Sequence, residues 1–552
     1  MSGPNPYLSV RDDVTMQAVK TFTLPVSGSV VLFGPEIDLV QTQAFQRLAG
    51  IKQLGTSYVV YRGALHTRFE HSIGSLHQAA RMLRAIEGNP RDRYEIDDPA
   101  RRLARLGALL HDLSHVPFGH TLEDEFHLLR RHDENAPRIR RLLERGEIAR
   151  ILRNSIGGDE FSELCKVLRA KTDSDFARLR FPFVGDIVGN TVCADLLDYV
   201  ERDLRSCGLR SAVGERFLDY LTVTGESEGL EADHSRLVLN LNKRGMPRPD
   251  VESEVVKLLS YRYELAERVY FHHSKNAASV MIGRAVQEAG WATGPKTPEW
   301  LERNFDKLSD DLLLHALANR EIETALRLRH DPSALGDRLL AESLAQGVLR
   351  RDLYKIAYLA TWDDLPDAVR RISQEYSDPE ARRRLENQLS DDAGLPRGMV
   401  LVHIPRHKMM SKDADVRVHT DRGEVVKLHE WDAHHSRRLA ALNEAHQRLW
   451  RVMAYVHPKY ADAIGIVRSA AAARFLSESR YVATREPGLA YIEALYKELA
   501  KKWDFTADDG EALTAAAYAP GEGRRKAEQE IIALVRARRA DKHLPPLRRR
   551  QR

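Results

Sequence analysis

Cysteine is scarce in this chain, and long apolar runs are absent. The 552 residues hold three cysteines, Cys165, Cys193 and Cys207, whose spacing forms neither a CxxC pair nor a disulfide framework. A chain of this length with so few thiols is expected to fold without cross-links and suits a reducing cytoplasm. No run reaches the roughly 18 apolar residues that a bilayer-spanning helix needs, and Met1 to Lys20 has no apolar core of a signal peptide. Neither membrane insertion nor export is expected. Net charge is also small, +4, which argues against the strong positive field of a dedicated nucleic-acid coat. No fixed-period repeat is detectable, so a solenoid is not expected.

What is present is a soluble globular composition, 43% hydrophobic and 30% charged, rich in helix formers, and the expected class is mainly α. The length favours two or three packed units. Gly28 to Phe33, GSVVLF, and the shorter run Tyr58 to Tyr61 are β-branched and apolar, and predict one small N-terminal hairpin. Ile73 to Ile86, Ala100 to Leu110, Val184 to Leu204 and Val251 to Ala289 repeat apolar residues at three- and four-residue steps and predict helices. Arg91 to Pro99 reads as a loop. Pro295 to Asn387 is charged and helical, without a catalytic pattern, and reads as scaffold. Met399 to Ile404 and Val416 to Leu428, with a turn at Asp421-Arg422-Gly423, read as strands of a small C-terminal α+β lobe.

Three separate pieces could supply a metal site: His71, the adjacent pair His111-Asp112 at a helix end, and Asp195 on a later helix. Imidazole nitrogen with carboxylate oxygen suits Mn, Fe, Zn, Ni or Co and leaves positions open for water and phosphate oxygens. Such an ion lowers the pKa of its water and neutralises a phosphoryl oxygen. A lone His-Asp dipeptide has a plainer fate, with His111 capping its helix and Asp112 bonding the local backbone. Here it is followed by Leu113-Ser114-His115-Val116-Pro117-Phe118-Gly119-His120, a density of imidazoles that helix propensity does not explain. Asp195, Tyr199 and Asp203 step by four and share one helix face.

The run ALLHDLSHVPFGH resembles the signature of the HD-domain deoxynucleotide triphosphohydrolases, the group of the sterile-alpha-motif/HD-domain dNTPase and the bacterial dGTPases. Phe45-Gln46-Arg47-Leu48, Ile51 to Gly55 and His66 to Gly74 are similar to the family in the same order, and the resemblance covers about residues 20 to 290. It implies an HD-domain helical phosphohydrolase core over 1–290, and the chain's own composition and patterning add a helical scaffold extension over 291–395, an α+β lobe over 396–520 and a basic helical tail over 521–552. It implies one divalent transition metal on His71, His111, Asp112 and Asp195, with Mg on the triphosphate. A water would attack the α-phosphorus, releasing a deoxynucleoside and tripolyphosphate. His115 is implied as general acid, backed by Glu123 where an Asp is usual, with His132 a second candidate in the same pocket. Gln53 and Leu54 stand where the sugar edge is met, close enough to exclude a 2′-hydroxyl; Arg68 faces a phosphate, and His120, Tyr199, Asp203, Arg262 and Tyr270 complete the substrate contacts. Alternatives stay open: Glu123 as a solvated helix residue, His132 as a surface residue, Arg68 paired with Glu70 or a nearby acid, Leu54 as core.

Two positions depart from the family's pattern. Leu196 stands where the mammalian-type enzyme has a phosphate-binding lysine, and Ala266 where it has a pocket histidine. Gln41 and Ala49 occupy the positions of its guanine-reading acid and arginine, so activation by that route is not expected. The resemblance implies a cytoplasmic homo-oligomer that controls dNTP pools, with antiphage defence as one setting. Two competing readings are an HD phosphohydrolase acting on another nucleotide or a nucleic-acid end, and a nucleotide-sensing or weakly nucleic-acid-binding protein that uses Arg524, Arg525 and the basic tail, Pro545 to Arg552.

Overall fold

Val19–Leu24 (β1) and Gly28–Phe33 (β2) form the N-terminal hairpin, registered from Val19 opposite Phe33 to Leu24 opposite Gly28. Gly28 takes φ 67° at the turn, a conformation that costs glycine nothing. In this computed structural model the described residues are 19–89, 94–211, 214, 216–225, 235–243, 246–292, 300–326, 336–407, 416–419, 424–435, 437–476, 499, 501, 503–505, 524–541, 545–546 and 548. The hairpin partner is therefore VKTFTL, and the strand expected at Tyr58 to Tyr61 is not there. Gly55–Val59 is a 3₁₀ turn that closes on itself, with Ser57 N bonding Leu54 O and Tyr61 N bonding Ser57 O. The β-branched Val59 is buried by that turn rather than paired in a ladder.

Arg68–Gly88 (α1) and Asp98–Leu110 (α2) follow, and the buried face of α1 packs on α2. The periodic stretch from Val184 to Leu204 is two helices, Pro182–Gly189 (α3) and Ala194–Ser206 (α4). They part where Asn190 turns its amide onto Asp186 Oδ1 and onto Thr191 N, a local competition with the helix that Asn is suited to make. α4 packs on the other side of α1. Leu221–Val223 (β3) and Leu237–Asn240 (β4) then form an antiparallel pair.

The stretch from Val251 to Ala289 is also divided, into Pro249–Leu265 (α5), a π turn at Ala266–Tyr270, and His273–Glu288 (α6), which starts at a cap where His272 Nδ1 accepts from Ser274 N. α6 is buried along nearly all of its length. Asp310–Ala318 (α7) and Arg338–Arg350 (α8) pack against it.

Within the region read as purely helical scaffold lies a strand, Lys355–Thr361 (β5). Its alternation is short and its inner residues, Ile356, Ala357, Tyr358 and Ala360, are all buried. A four-residue apolar pattern of this kind does not distinguish a strand from a buried helix segment. Val400–His403 (β6), Arg417–His419 (β7) and Val425–Lys427 (β8) are strands as the sequence indicates. The turn residues Asp421, Arg422 and Gly423 lie outside the described residues.

Two compact units emerge, neither continuous in sequence: residues 1–352, 366–382 and 403–451 form one, and 353–365, 383–402 and 452–552 the other. In the first, β8, β7, β4 and β3 lie in that order, with β7 parallel to β4. In the second, β6 and β5 flank Arg451–Val456 (β9). The strands near 400 and near 417 therefore belong to different sheets. The second unit also contains the helix Arg524–Asp541, whose Val535 is packed with Trp503, Phe505 and Ile532. The side chains of Arg524 and Arg525, and residues 547 and 549–552 of the basic end, lie outside the described residues. Among the described residues no helix is long and apolar enough to cross a membrane.

The sheet of the first unit is tied to its helices by one buried pair. Asp186 of α3 accepts from Arg236 Nε at 2.8 Å, from Nη2 at 2.6 Å and from Leu237 N at 3.0 Å, with both side chains fully buried. Removing the acid leaves the buried guanidinium to its longer contact with the half-exposed Asp173, 3.3 Å from Nη2. Asp186→Ala is expected to lower unfolding free energy by roughly 3–5 kcal/mol, read as a lower urea midpoint at unchanged slope.

Candidate active site

Helix α1 begins at a capping box, with Thr67 Oγ1 accepting from Glu70 N and the Glu70 carboxylate accepting from Thr67 N at 2.8 Å. This fixes the first turn and brings His71 into the interior, where it is fully buried. Because Glu70 is used as a cap, it is not the partner of Arg68. Arg68 Nη1 instead donates to Asp112 Oδ2 at 2.5 Å.

Helix α2 ends at Leu110, and His111 sits at its C-cap with Nδ1 2.8 Å from Ala108 O. The capping role and a ligand role use opposite nitrogens. Donation from Nδ1–H to the carbonyl leaves Nε2 as a lone pair. His71 is held the same way, its Nδ1 lying 2.9 Å from Asp198 Oδ2, and Arg202 clamps that carboxylate from Nε at 2.8 Å and Nη2 at 2.7 Å. Asp198 and Arg202 are one turn apart on α4, which also presents Asp195 from its first turn.

The free ends then converge. His71 Nε2 is 3.3 Å from His111 Nε2 and 3.1 Å from Asp195 Oδ1, and His111 Nε2 is 3.6 Å from the same oxygen. Asp112 stands at the margin, its oxygens 3.7 Å from His71 Nε2 and 3.5 Å from His111 Nε2. Two imidazole lone pairs and a carboxylate facing one another are mutually repulsive unless a cation lies between them. This donor set fits a divalent transition metal. Burial opposes a charge on His71, but hydrogen bonds to Asp195 and Asp198 outweigh burial and raise it to about 10.

Next to this cluster His115 Nε2 lies 3.3 Å from Asp112 Oδ1, and the His115 ring stacks on His132 with centroids 3.5 Å apart. Burial, with Arg68 and His132 nearby, holds His115 well below the ordinary histidine range. The contact expected between Glu123 and His115 is not made. Glu123 is fully buried, and its Oε2 takes His132 Nδ1 and N, both at 3.0 Å, while Oε1 takes Arg138 at 2.6 Å. The carboxylate beside His115 is Asp112. His132 is buried, so neither it nor Glu123 is a surface residue.

A cavity of about 750 Å³ opens over the cluster. Its walls include Gln53, Leu54, Arg68, His120, Tyr199 and Asp203 as well as Arg262, Tyr270, His115 and His132; only His71 and Glu123, among the residues singled out from sequence, lie behind the wall. Tyr270 Oη donates to Asp203 Oδ2 at 3.2 Å, and Asp203 Oδ1 meets His66 Nε2 at 2.8 Å. Burial pushes the Tyr199 and Tyr270 hydroxyls above the usual phenol range. His120 is half-exposed and bonds Asp124 at 2.9 Å. Leu196 and Ala266, the two departures, also face this cavity.

Sequence reasoning passed over several groups. Asp198 and Arg202 are visible only once Asp195 is fixed as a ligand, because three and seven residues further along a helix return to its buried side. His66, Arg406 and His446 line or support the cavity, and the last two come from a distant part of the chain with no local signal.

Comparison with known proteins agrees with this arrangement. Residues 68–202 match the HD domain and residues 233–479 the HD-associated region. The chain belongs to the HD-domain family, its HD domain followed by the HD-associated region. An uncharacterized Bacillus subtilis protein is 32% identical over 256 residues, 46% of this chain and 51% of that protein, so the chain spans about half the length of this relative. A Dictyostelium discoideum homolog of the deoxynucleoside triphosphate triphosphohydrolase SAMHD1 is 28% identical over 64% of this chain and 62% of its own length. A phosphohydrolase from Bacteroides thetaiotaomicron shares the fold, with a TM-score of 0.55 at 21% identity over 79% of this chain and 100% of that one.

An HD site of this build should depend on the support behind its histidines. Asp198→Ala removes the acceptor that orients His71 without touching the cluster itself. Metal affinity is expected to fall about 10–100-fold, measured by competition with a chromogenic chelator, while far-ultraviolet circular dichroism stays helical.

Proposed function

We propose that this protein hydrolyses deoxynucleoside triphosphates to deoxynucleoside and tripolyphosphate at a metal ion held by His71, His111, Asp112 and Asp195. The observation that carries the reading is the course of α4, which holds Asp195 in the cluster and carries Tyr199 and Asp203 one and two turns further along the same cavity. At 1.5 Å per residue the eight residues from Asp195 to Asp203 span about 12 Å, a reach that suits phosphate at one end and sugar at the other. The Dictyostelium relative, a homolog of a deoxynucleoside triphosphate triphosphohydrolase, supports the same class of substrate.

A bound divalent ion would supply Lewis acidity and an activated water. The chain's own groups do the rest. Tyr270 and His66 hold the Asp203 carboxylate from both sides, so its position is fixed before a sugar hydroxyl arrives. Leu54, with 9% exposure, presents an apolar edge beside Gln53, which disfavours an added 2′-hydroxyl. His115 is the proton donor to the leaving oxygen: burial beside Arg68 and His132 keeps its pKa low without substrate, and the negative charge of a bound triphosphate, by engaging Arg68, would raise it towards the protonated form. His132 stacks behind it, and Glu123 and Arg138 fix that second ring. Arg68 and Arg262 are the phosphate contacts.

Ion-exchange analysis of each dNTP, singly and mixed, with Mn²⁺, Mg²⁺ or Co²⁺ tests the reaction. Deoxynucleoside with tripolyphosphate is the expected product pair, and no turnover in any mixture moves the reading to another phosphoester. His111→Ala and Asp112→Ala are each expected to abolish turnover with the helical fold retained; unchanged activity in metal-defined protein sinks the site. Leu54→Ala should raise the rate on a ribonucleotide selectively over its deoxy counterpart.

A further inference from the structure

Asp310 opens α7, in the stretch that carries no catalytic pattern in the sequence. Its side chain is fully buried, and its two oxygens serve two different loops. Oδ2 accepts from Lys52 N and Oδ1 from Phe118 N, each at 2.8 Å. Lys52 immediately precedes Gln53 and Leu54. Phe118 lies between His115 and His120. Both loops line the cavity.

Two further observations mark this junction as held under constraint. Phe118 has φ 50°, a left-handed conformation that a residue with a side chain rarely adopts, and its N–H donates to Asp310 in that conformation. The neighbouring residue is pressed against the first loop: a Cβ on Gly50 would lie 2.6 Å from Ser309 Cβ. Burial pushes the Asp310 carboxyl up to about 6, against the backbone donors that stabilise its charge. A buried acid kept at this cost, bonded to two backbone amides and placed at the seam of a cavity, suits a spacer better than a surface cap.

We propose that Asp310 is a positioning residue that fixes the gap between the Gln53–Leu54 wall and the His115–His120 loop, and thereby sets the discrimination between deoxyribose and ribose. The proposal rests on the cavity being the nucleotide site. Asparagine at 310 keeps the volume but offers one oxygen, so one loop loses its acceptor and meets a donor instead. Gly50→Ala disturbs the same seam from the opposite side and leaves the carboxylate in place.

The test is the ratio of kcat/KM for dATP over ATP and for dGTP over GTP, in wild type, Asp310→Asn, Gly50→Ala and Gly50→Ala with Ser309→Gly. The ratio is expected to fall about tenfold in each single variant, the scale of one lost hydrogen bond, with bound metal per chain unchanged. The double variant should recover most of it, because removing the serine Cβ reopens the space. A ratio unchanged in folded Asp310→Asn, or unchanged in Gly50→Ala should the first variant fail to fold, overturns the proposal. Equilibrium dialysis with radiolabelled dATP and ATP separates this from the hydrolase reading. Wild type that binds dATP in preference to ATP without hydrolysing it refutes the reaction and leaves the spacer to be judged on the affinity ratio; wild type that binds both alike, or neither, refutes the spacer.

Discussion

The direction of one imidazole governs this site. His71 is fully buried, and its Nδ1 is fixed by Asp198, which is itself fixed by two nitrogens of Arg202. With Nδ1 committed, Nε2 has to face His111 and Asp195. The approach that brings Asp198 to the ring is close: a Cβ at Gly74 would collide with Asp198 Oδ1 and Arg202 Nη2. The packing of α4 on α1 and the ligand geometry are therefore one constraint. A glycine at 74 lets the helices approach, the close approach brings Asp198 to His71, and the pair leaves a lone pair where a cation is wanted.

A similar logic repeats around the rest of the cavity. His111 is fixed by a backbone carbonyl, His132 by Glu123 and Arg138, and Asp203 by His66 and Tyr270. Each of these groups has its other end tied. Buried polar networks of this kind are rigid because any movement breaks several bonds in a low-dielectric interior. The unsatisfied atoms are informative by contrast: His115 Nδ1 and Gln53 Oε1 are buried without a partner among the described residues. Both belong to residues on the cavity wall. Groups left without partners cost free energy unless a ligand or water supplies one.

The sequence made the cluster legible because its parts are local. A His-Asp pair at a helix end, a histidine followed by a turn rich in imidazole, and carboxylates at four-residue steps each have a readable spacing. The mainly helical class was legible for the same reason. What escaped was set by long-range packing. Tyr58 to Tyr61 has a strand's composition but is bent by its own turn hydrogen bonds, and Lys355–Thr361 has a pattern too short to separate strand from buried helix. The partner of Glu123 was misread because residues 115 and 132 are equally available to it in sequence, and only the stacked arrangement of the two rings decides between them. Asp310 gave no signal, since an aspartate after serine at a helix start has an ordinary capping explanation.

The charge inventory of the cavity bears on how a polyanion would be held. Lys52, Arg131, Lys171, Lys275 and Arg406 each lie within 4.0 Å of a carboxylate, as does Arg68. Among the described residues Arg262 is the one lysine or arginine of the wall with no such partner. With Leu196 contributing no charge, a phosphate chain meets Arg262 directly and must draw the others from their acids. Arg68 is the most consequential of these. Its partner Asp112 also borders the two histidine nitrogens, so a divalent ion and the guanidinium compete for one carboxylate. On the proposed reading, an ion that satisfied Asp112 would weaken its hold on Arg68 and make the guanidinium available to phosphate, so that metal occupancy and anion affinity would be linked through a single side chain.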